Sequence, residues 1–144
     1  MRSGRLVVTF RGTSMLPFLR EGRDTVFIER FTGRLKRLDV AFYRNAGGAF
    51  VLHRVVRVLP DGYDICGDHL LVVERGVPDT RVQGVMTGFF RGGRYIPCKS
   101  LPYRLLSASW AILRPVRART ASIRQLLGRV KRKLAGCLKG GSTA

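Results

Sequence analysis

The chain has 144 residues, a formal net charge of +18, and three cysteines without Cys-x-x-Cys spacing. The length permits one domain with a modest core, and the cysteine pattern argues against a disulfide scaffold. Only two histidines occur and no residues have metal-site spacing, so we expect neither a metal nor a cofactor. Residues 1–97 carry 16 Lys/Arg against 9 acids, whereas residues 98–144 carry 11 against none. This basic end predicts an anionic partner, a phospholipid surface or nucleic acid, unless it only adds solubility.

Short runs of β-branched and aromatic residues alternate with turn signals along the first hundred residues. The predicted strands cover residues 6–10, 25–29, 38–43, 49–58, 63–66, 82–90 and 94–98. Gly47-Gly48 and Asp61-Gly62 supply turn chemistry between neighbouring strands. Many short strands separated by turns predict a mainly β fold, a barrel or a folded sheet, over residues 1–100.

The composition changes after Pro102. Residues 103–113 have a helical pattern, and over residues 121–138 apolar side chains recur at helical spacing, with basic side chains mostly off that stripe. These patterns predict a helical extension over residues 101–144 that contains a basic amphipathic helix. Three roles for this helix stay open: binding an anionic membrane interface, for which Trp110 is a suitable anchor, packing on the β domain, or binding nucleic acid.

The sequence also bears on location. The amino-terminal apolar run is short for a signal peptide, and no run of about 18 apolar residues occurs anywhere. We therefore predict no transmembrane helix. The expected location is cytoplasmic, or peripheral on the inner face of the membrane if the basic helix binds lipid.

One hydroxyl lies between a strand pattern and a proline turn, in the run Gly12-Thr13-Ser14-Met15-Leu16-Pro17. A serine nucleophile needs a base to take its proton and backbone donors for the developing oxyanion. Gly12 allows a tight turn and Pro17 stiffens the exit, which favours an exposed Ser14 as the nucleophile. Gly12, Thr13, Met15 and Pro17 are the candidate oxyanion and substrate positions around it. A capping role for Ser14 and core packing for Met15 are the alternatives.

His53 lies in an otherwise apolar strand pattern over residues 50–56. Its ordinary pKa is near neutrality, so it can accept a proton at physiological pH. An orienting acid is also needed, and Asp68, in a Gly67-Asp68 turn, is a candidate. A structural role for His53 and a turn-forming hydrogen bond for Asp68 are equally compatible with the spacing.

Four motifs together resemble the type I signal peptidase family of serine proteases, which shares a β fold with the LexA-like self-cleaving repressors. Ser14-Met15-x-Pro17-x-Leu19 is similar to the nucleophile box, and Leu38-Asp39-Val40-Ala41-Phe42 to the next strand motif. Val51-Leu52-His53-Arg54-Val55-Val56 is similar to the box of the general base, and Gly67-Asp68 to the Gly-Asp box that follows. The resemblance implies that fold, endopeptidase activity, and a preference for small residues before the cut.

Three departures from the family pattern matter. Histidine stands where most bacterial and LexA-like members have lysine, which resembles the endoplasmic-reticulum and archaeal-type signal peptidases and implies a Ser14–His53 pair supported by an acid. The acid of such members follows the Gly-Asp box, where this chain has Glu74. Asp68 and Glu74 thus compete; we favour Asp68 as a support of the site and Glu74 as the orienter. Gly12 replaces a common hydroxyl residue, which leaves backbone amides, chiefly that of Ser14, as oxyanion donors. No counterpart of the family's membrane anchor is found.

Three functions are weighed. The first is a serine endopeptidase that removes a leader or signal-like segment from a precursor polypeptide bound as an extended strand. The second is a LexA-like self-cleaving regulator, which is disfavoured because only eleven residues precede Gly12. The third is a non-catalytic module that binds membrane or nucleic acid through its basic end. The joint presence of Ser14 and His53 speaks against this third hypothesis.

Overall fold

The computed structural model describes residues 4–117 and residue 119. The described chain is mainly β, and its compact first unit extends to Ala111, with a second unit from Ile112. The strands are β1 Arg5–Thr9, β2 Asp24–Arg30, β3 Val40–Arg44, β4 Phe50–Leu59, β5 Gly62–Cys66, β6 Glu74–Val77, β7 Val82–Arg91 and β8 Arg94–Pro97. A short 3-10 turn, Asp79–Arg81, precedes β7, and helix α1, Leu101–Ile112, follows β8.

All strand pairs are antiparallel, in one eight-stranded sheet of order β1-β2-β7-β3-β4-β5-β6, with β8 paired to β7. Register shifts occur in four of the pairings, between β2 and β7, β3 and β7, β4 and β5, and β5 and β6. Such bulges increase local twist and bend the strands. The result is a folded sheet in which β3 lies at the centre, between β7 and β4.

Two apolar clusters form the core. The first contains Phe10, Met15, Leu19, Val26, Ile28, Val40, Leu52, Met86, Phe89 and Tyr103. The second contains Leu35, Ala41, Tyr43, Val55, Tyr63, Ile65, Val77 and Val82. Because side chains alternate along a strand, β3 and β4 supply both clusters and are covered on both faces. His53 and Val55 are two residues apart on β4, so their side chains point to the same face of the sheet. His53 therefore lies on the face of the second cluster.

The predicted strands all correspond to strands of the sheet, so the mainly β prediction is confirmed. The predicted strand over residues 38–43 begins later, at Val40, because Leu38 has a positive φ of 77° and cannot continue a strand. β6 was not predicted, because Glu74-Arg75-Gly76-Val77 lacks the apolar alternation of a strand.

The predicted helix over residues 103–113 corresponds to α1, which starts earlier, at Leu101, with Pro102 tolerated in its first turn. Through Tyr103, which is buried in the first cluster, α1 packs on the sheet. The predicted amphipathic helix over residues 121–138 lies outside the described residues. Within residues 4–117, no helix has both the length and the apolar character needed to cross a membrane.

Candidate active site

A short series of hydrogen bonds joins three side chains from three strands. The Tyr43 hydroxyl donates to Glu74 Oε2 at 2.8 Å, and its oxygen lies 3.3 Å from His53 Nδ1. Tyr43 is on β3, His53 on β4, and Glu74 is the first residue of β6. The pairing of Ala41 with His53 and of Tyr43 with Val51 brings the two rings together diagonally across one face.

The series indicates which nitrogen of His53 carries the proton. Tyr43 has a single hydroxyl hydrogen, and Glu74 accepts it, so the hydrogen in the Tyr43–His53 contact comes from Nδ1. The neutral ring therefore keeps Nε2 unprotonated. An unprotonated Nε2 with Nδ1–H held by a partner is the arrangement that a histidine general base requires.

Glu74 is held by three donors. Besides Tyr43, the backbone amide of Ala46 donates to Oε1 at 3.1 Å, and Arg81 Nη2 donates to the same oxygen in an ion pair. Burial disfavours the charged carboxylate, but the hydrogen bonds of Tyr43 and Arg81 outweigh it and lower the pKa of Glu74. Glu74 is therefore a fixed negative charge at neutral pH.

The environment keeps His53 and Tyr43 neutral. Burial lowers the pKa of His53, and the negative charges of Glu74 and Asp68 oppose that change. Burial, reinforced by the hydrogen bond to Glu74, raises the pKa of Tyr43. At neutral pH the series thus consists of a carboxylate, a phenol and an imidazole that is free to accept a proton.

Ser14 lies in the turn between β1 and β2, and its main chain is attached to the turn after β5. The amide of His69 donates to the Ser14 carbonyl oxygen at 2.8 Å. A side chain at Gly67 would place its Cβ 2.6 Å from that oxygen, so the close approach requires glycine. Arg54, the residue after His53 on β4, pairs with Cys66, which is the last residue of β5 and directly precedes Gly67.

The Ser14 side chain is half-buried. Among the described residues, neither its hydroxyl nor its amide has a hydrogen-bond partner, so Ser14 and His53 form no direct hydrogen bond. Catalytic hydrogen bonds of serine enzymes are often long or poorly aligned without substrate and tighten in the complex.

Asp68 has a different environment from Glu74. Its two carboxylate oxygens accept from Arg54 Nε and Nη2, each at 2.7 Å, and both side chains are buried, with 2% and 4% exposure. Its backbone carbonyl accepts from Trp110 Nε1 at 2.9 Å. Asp68 therefore joins the Gly-Asp turn to β4 and α1, and its negative charge raises the pKa of His53 against the effect of burial.

The remaining predicted site residues divide into exposed and buried ones. Gly12, with a φ of 91°, donates its amide to Glu21 Oε2 at 2.8 Å, which holds the turn before Ser14. Thr13 and Pro17 are exposed, Pro17 after a cis peptide bond. Met15 is fully buried in the first cluster, so the core packing weighed for it is the role that the structure supports, and it is not available to a bound peptide.

Sequence reasoning missed Tyr43 and Arg81. Tyr43 is fully buried, and its only sequence signal is an aromatic residue at the end of a strand, which is typical of core positions. Its link to Glu74 spans 31 residues and depends on the unpredicted strand β6. An arginine after a proline-aspartate turn carries no comparable signal.

Comparison of the chain with family models, with curated proteins and with solved structures gives no match. The function proposed below therefore rests on the residues of this chain and their geometry.

Proposed function

We propose that this protein is a serine endopeptidase, similar to signal peptidases, with Ser14 as the nucleophile and His53 as the general base. The observation that carries the proposal is the Glu74–Tyr43–His53 series, from which we infer that Nε2 is the unprotonated nitrogen of His53. A purely structural histidine does not require a fixed carboxylate behind it, whereas a base that becomes positively charged during reaction does.

The proposed mechanism follows from these roles. Nε2 of His53 takes the Ser14 proton while Oγ attacks the scissile carbonyl carbon, and the backbone amide of Ser14 donates to the oxyanion. The resulting imidazolium is stabilised by the charge of Glu74 through the Tyr43 hydroxyl. It then returns the proton to the leaving amine, and a water molecule, deprotonated by His53, hydrolyses the acyl-enzyme.

The proposed substrate is a precursor polypeptide with a leader or signal-like apolar segment. Three apolar side chains follow the His69 amide that holds Ser14: Leu70 and Leu71 are partly exposed, and Val72 is 82% exposed. An exposed apolar loop of this kind suits contact with an apolar peptide segment. A peptide bound as an extended strand would present its cleavage site beside Ser14.

A second candidate function is a non-catalytic module that binds an anionic membrane surface through its basic end, with nucleic acid as the less favoured ligand. The charge of residues 98–144 favours this second function, since the segment contains 11 basic residues and no acidic ones. Exposed leucines on α1, Leu101, Leu105 and Leu106, also support it. Membrane binding alone is also compatible with the proposed peptidase activity, since a peripheral peptidase at the inner face of the membrane would use both.

Cleavage of synthetic peptides, each with an apolar segment followed by small residues, tests the proposal. Wild-type protein should release two fragments, and Ser14→Ala and His53→Ala should each lower the rate by at least 10³-fold. The matched controls are Ser109→Ala on the exposed side of α1 and His69→Ala, which removes the other histidine; both should retain cleavage. Cleavage that survives Ser14→Ala in a folded protein would exclude this nucleophile.

A further inference from the structure

A cavity of about 510 Å³ lies in the first unit, away from the candidate active site. Its walls are the loop of residues 34–39, strands β3 and β7, and the first turns of α1. Ser14, His53 and Glu74 do not line it. The volume is within the range of about 300–1,000 Å³ that is typical of small-molecule sites.

The polar part of the lining is mainly cationic. Five basic side chains line the cavity, namely Arg34, Lys36, Arg37, Lys99 and Arg104, against the two acidic side chains Glu29 and Asp39. Glu29 is already paired with Arg5, at 2.9 Å. In the described part of the chain, no acid lies within ion-pair distance of Lys36, Arg37, Lys99 or Arg104. Their charge is therefore available to an anionic ligand.

A buried hydroxyl lines the same cavity. Ser107 is 1% exposed, and in the part of the chain that the structure describes its Oγ has no hydrogen-bond partner. It lies one helical turn after Tyr103 and Arg104, which line the cavity from the same face of α1. Buried hydroxyls are rarely left without a partner, and a polar group of a ligand supplies one.

Four aliphatic side chains also line the cavity. They are Leu38, in the basic loop, Val40 on β3, and Val85 and Met86 on β7. Leu38 has a positive φ of 77° although it is not glycine, a strained conformation of the kind that clusters at binding sites. It is fixed there because its amide donates to the Val55 carbonyl and its carbonyl accepts from Arg54 Nη1, each at 2.9 Å.

We propose that this cavity binds a phosphate ester with an aliphatic body. The phosphate group lies between Lys99 and Arg104 and the basic loop, and the aliphatic part packs on Leu38, Val40, Val85 and Met86. A phosphate group carries several strong acceptor oxygens, which match multiple arginine and lysine donors better than a single carboxylate does. The proposal does not depend on the proposed peptidase activity, because the two sites share no residue.

The test uses the full chain and dihexanoyl phosphatidic acid, a soluble phosphate ester with two short aliphatic chains. Calorimetry at about 150 mM salt, which suppresses non-specific charge effects, should give saturable binding of one ester per protein. The double variant Lys99→Gln/Arg104→Gln should weaken this binding at least tenfold. The control variant Arg57→Gln/Arg94→Gln removes the same amount of charge at exposed positions outside the cavity. Its dissociation constant for the ester should stay within twofold of the wild-type value.

Two further probes identify the natural source of the phosphate. Inorganic phosphate should bind more weakly than the ester, because it lacks the aliphatic body. Vesicles of phosphatidylcholine with phosphatidic acid that compete with the ester would assign the site to a membrane lipid, and failure to compete would assign it to a soluble ester. Equal weakening in both double variants, or the absence of saturable ester binding by wild type, would overturn the proposal.

Discussion

At the scale of single residues, the candidate site depends on the Tyr43 hydroxyl. It is the only bridge described between the Glu74 carboxylate and the His53 ring, and it sets the tautomer that leaves Nε2 free to accept a proton. Tyr43 is therefore a positioning residue in the proposed mechanism. Glu74 supplies the charge that stabilises the imidazolium, and Arg81 and Ala46 hold Glu74 in place.

The substitution Tyr43→Phe removes this bridge while keeping the buried ring. We expect kcat for peptide cleavage to fall about 10- to 100-fold, with little change in KM, because His53 loses its orientation and not its substrate contacts. Steady-state kinetics on the wild type and the variant measure both constants. A variant with unchanged kcat would show that the series is only structural.

The substitution Glu74→Gln tests the charge of the acid. The negative charge of Glu74 raises the pKa of His53 against the effect of burial, so its removal should lower that pKa further. The acidic limb of the kcat/KM profile should then move to lower pH, with a lower plateau. Titration of the His53 ring by NMR measures the pKa directly, and Asp61→Asn, in an exposed turn, is the control. An unshifted or upward-shifted titration would contradict the assignment.

At the scale of secondary-structure elements, two buried aspartates join the turns to the sheet. Asp68 joins the Gly-Asp turn to β4 through Arg54, and Asp24, at the start of β2, accepts from Arg91 of β7. Both lie beside the turn that carries Ser14. Their loss is therefore expected to affect stability.

Asp68→Asn leaves the buried Arg54 guanidinium without its carboxylate. Removing one partner of a buried ion pair typically lowers the free energy of unfolding by about 3–5 kcal/mol. We expect a value toward the lower end of this range, because Arg54 keeps its hydrogen bonds to Leu38 and Tyr103. Glu29→Gln, which breaks the exposed pair with Arg5, should cost under about 1 kcal/mol. Urea unfolding measures the free energy of unfolding of both variants. An equal loss in Asp68→Asn and Glu29→Gln would contradict the structural role of Asp68.

Protonation of the Asp24 carboxylate is expected to lower the stability of the protein in acid. Burial raises its pKa, but hydrogen bonds from Arg91, Arg23 and the Arg20 amide prevail and lower it from 3.8 to about 2. A depressed folded pKa gives stability that is present above the unfolded pKa and is lost as pH falls toward about 2. The contribution is about 2 kcal/mol. Urea unfolding at pH 5 and pH 2.5 measures the free energy of unfolding of wild type and of Asp24→Asn. The two free energies should differ less at pH 2.5 than at pH 5. The same difference at both pH values would contradict this account.

The elements differ in how well the sequence predicts them. Strands β1 to β5 and β7 carry β-branched and aromatic side chains, so their local pattern is sufficient. The return strand β6 has no such pattern, and its position follows from pairing with β5. The motif order proposes Ser14, His53 and Glu74 as site residues, whereas the contact of Tyr43 with Glu74 spans 31 residues and no local pattern encodes it.

At the scale of the whole molecule, charge separates the two ends of the chain. All nine acidic residues lie at or before Asp79, and residues 98–144 contain none. Such an end attracts anionic surfaces, with a dependence on salt that is steep for phosphate contacts and weaker for apolar insertion. We propose that this end brings the peptidase to a membrane surface where apolar precursor segments are found.

The measurement that tests the central claim most directly is the mass of the whole protein after acid quenching of a reaction with an activated ester of a leader peptide. Wild-type protein should gain the mass of the peptide acyl group, and fragmentation should locate it on Ser14. His53→Ala should acylate far more slowly, and Ser14→Ala not at all. Turnover with an adduct on another residue, or an adduct that persists in Ser14→Ala, would contradict the account.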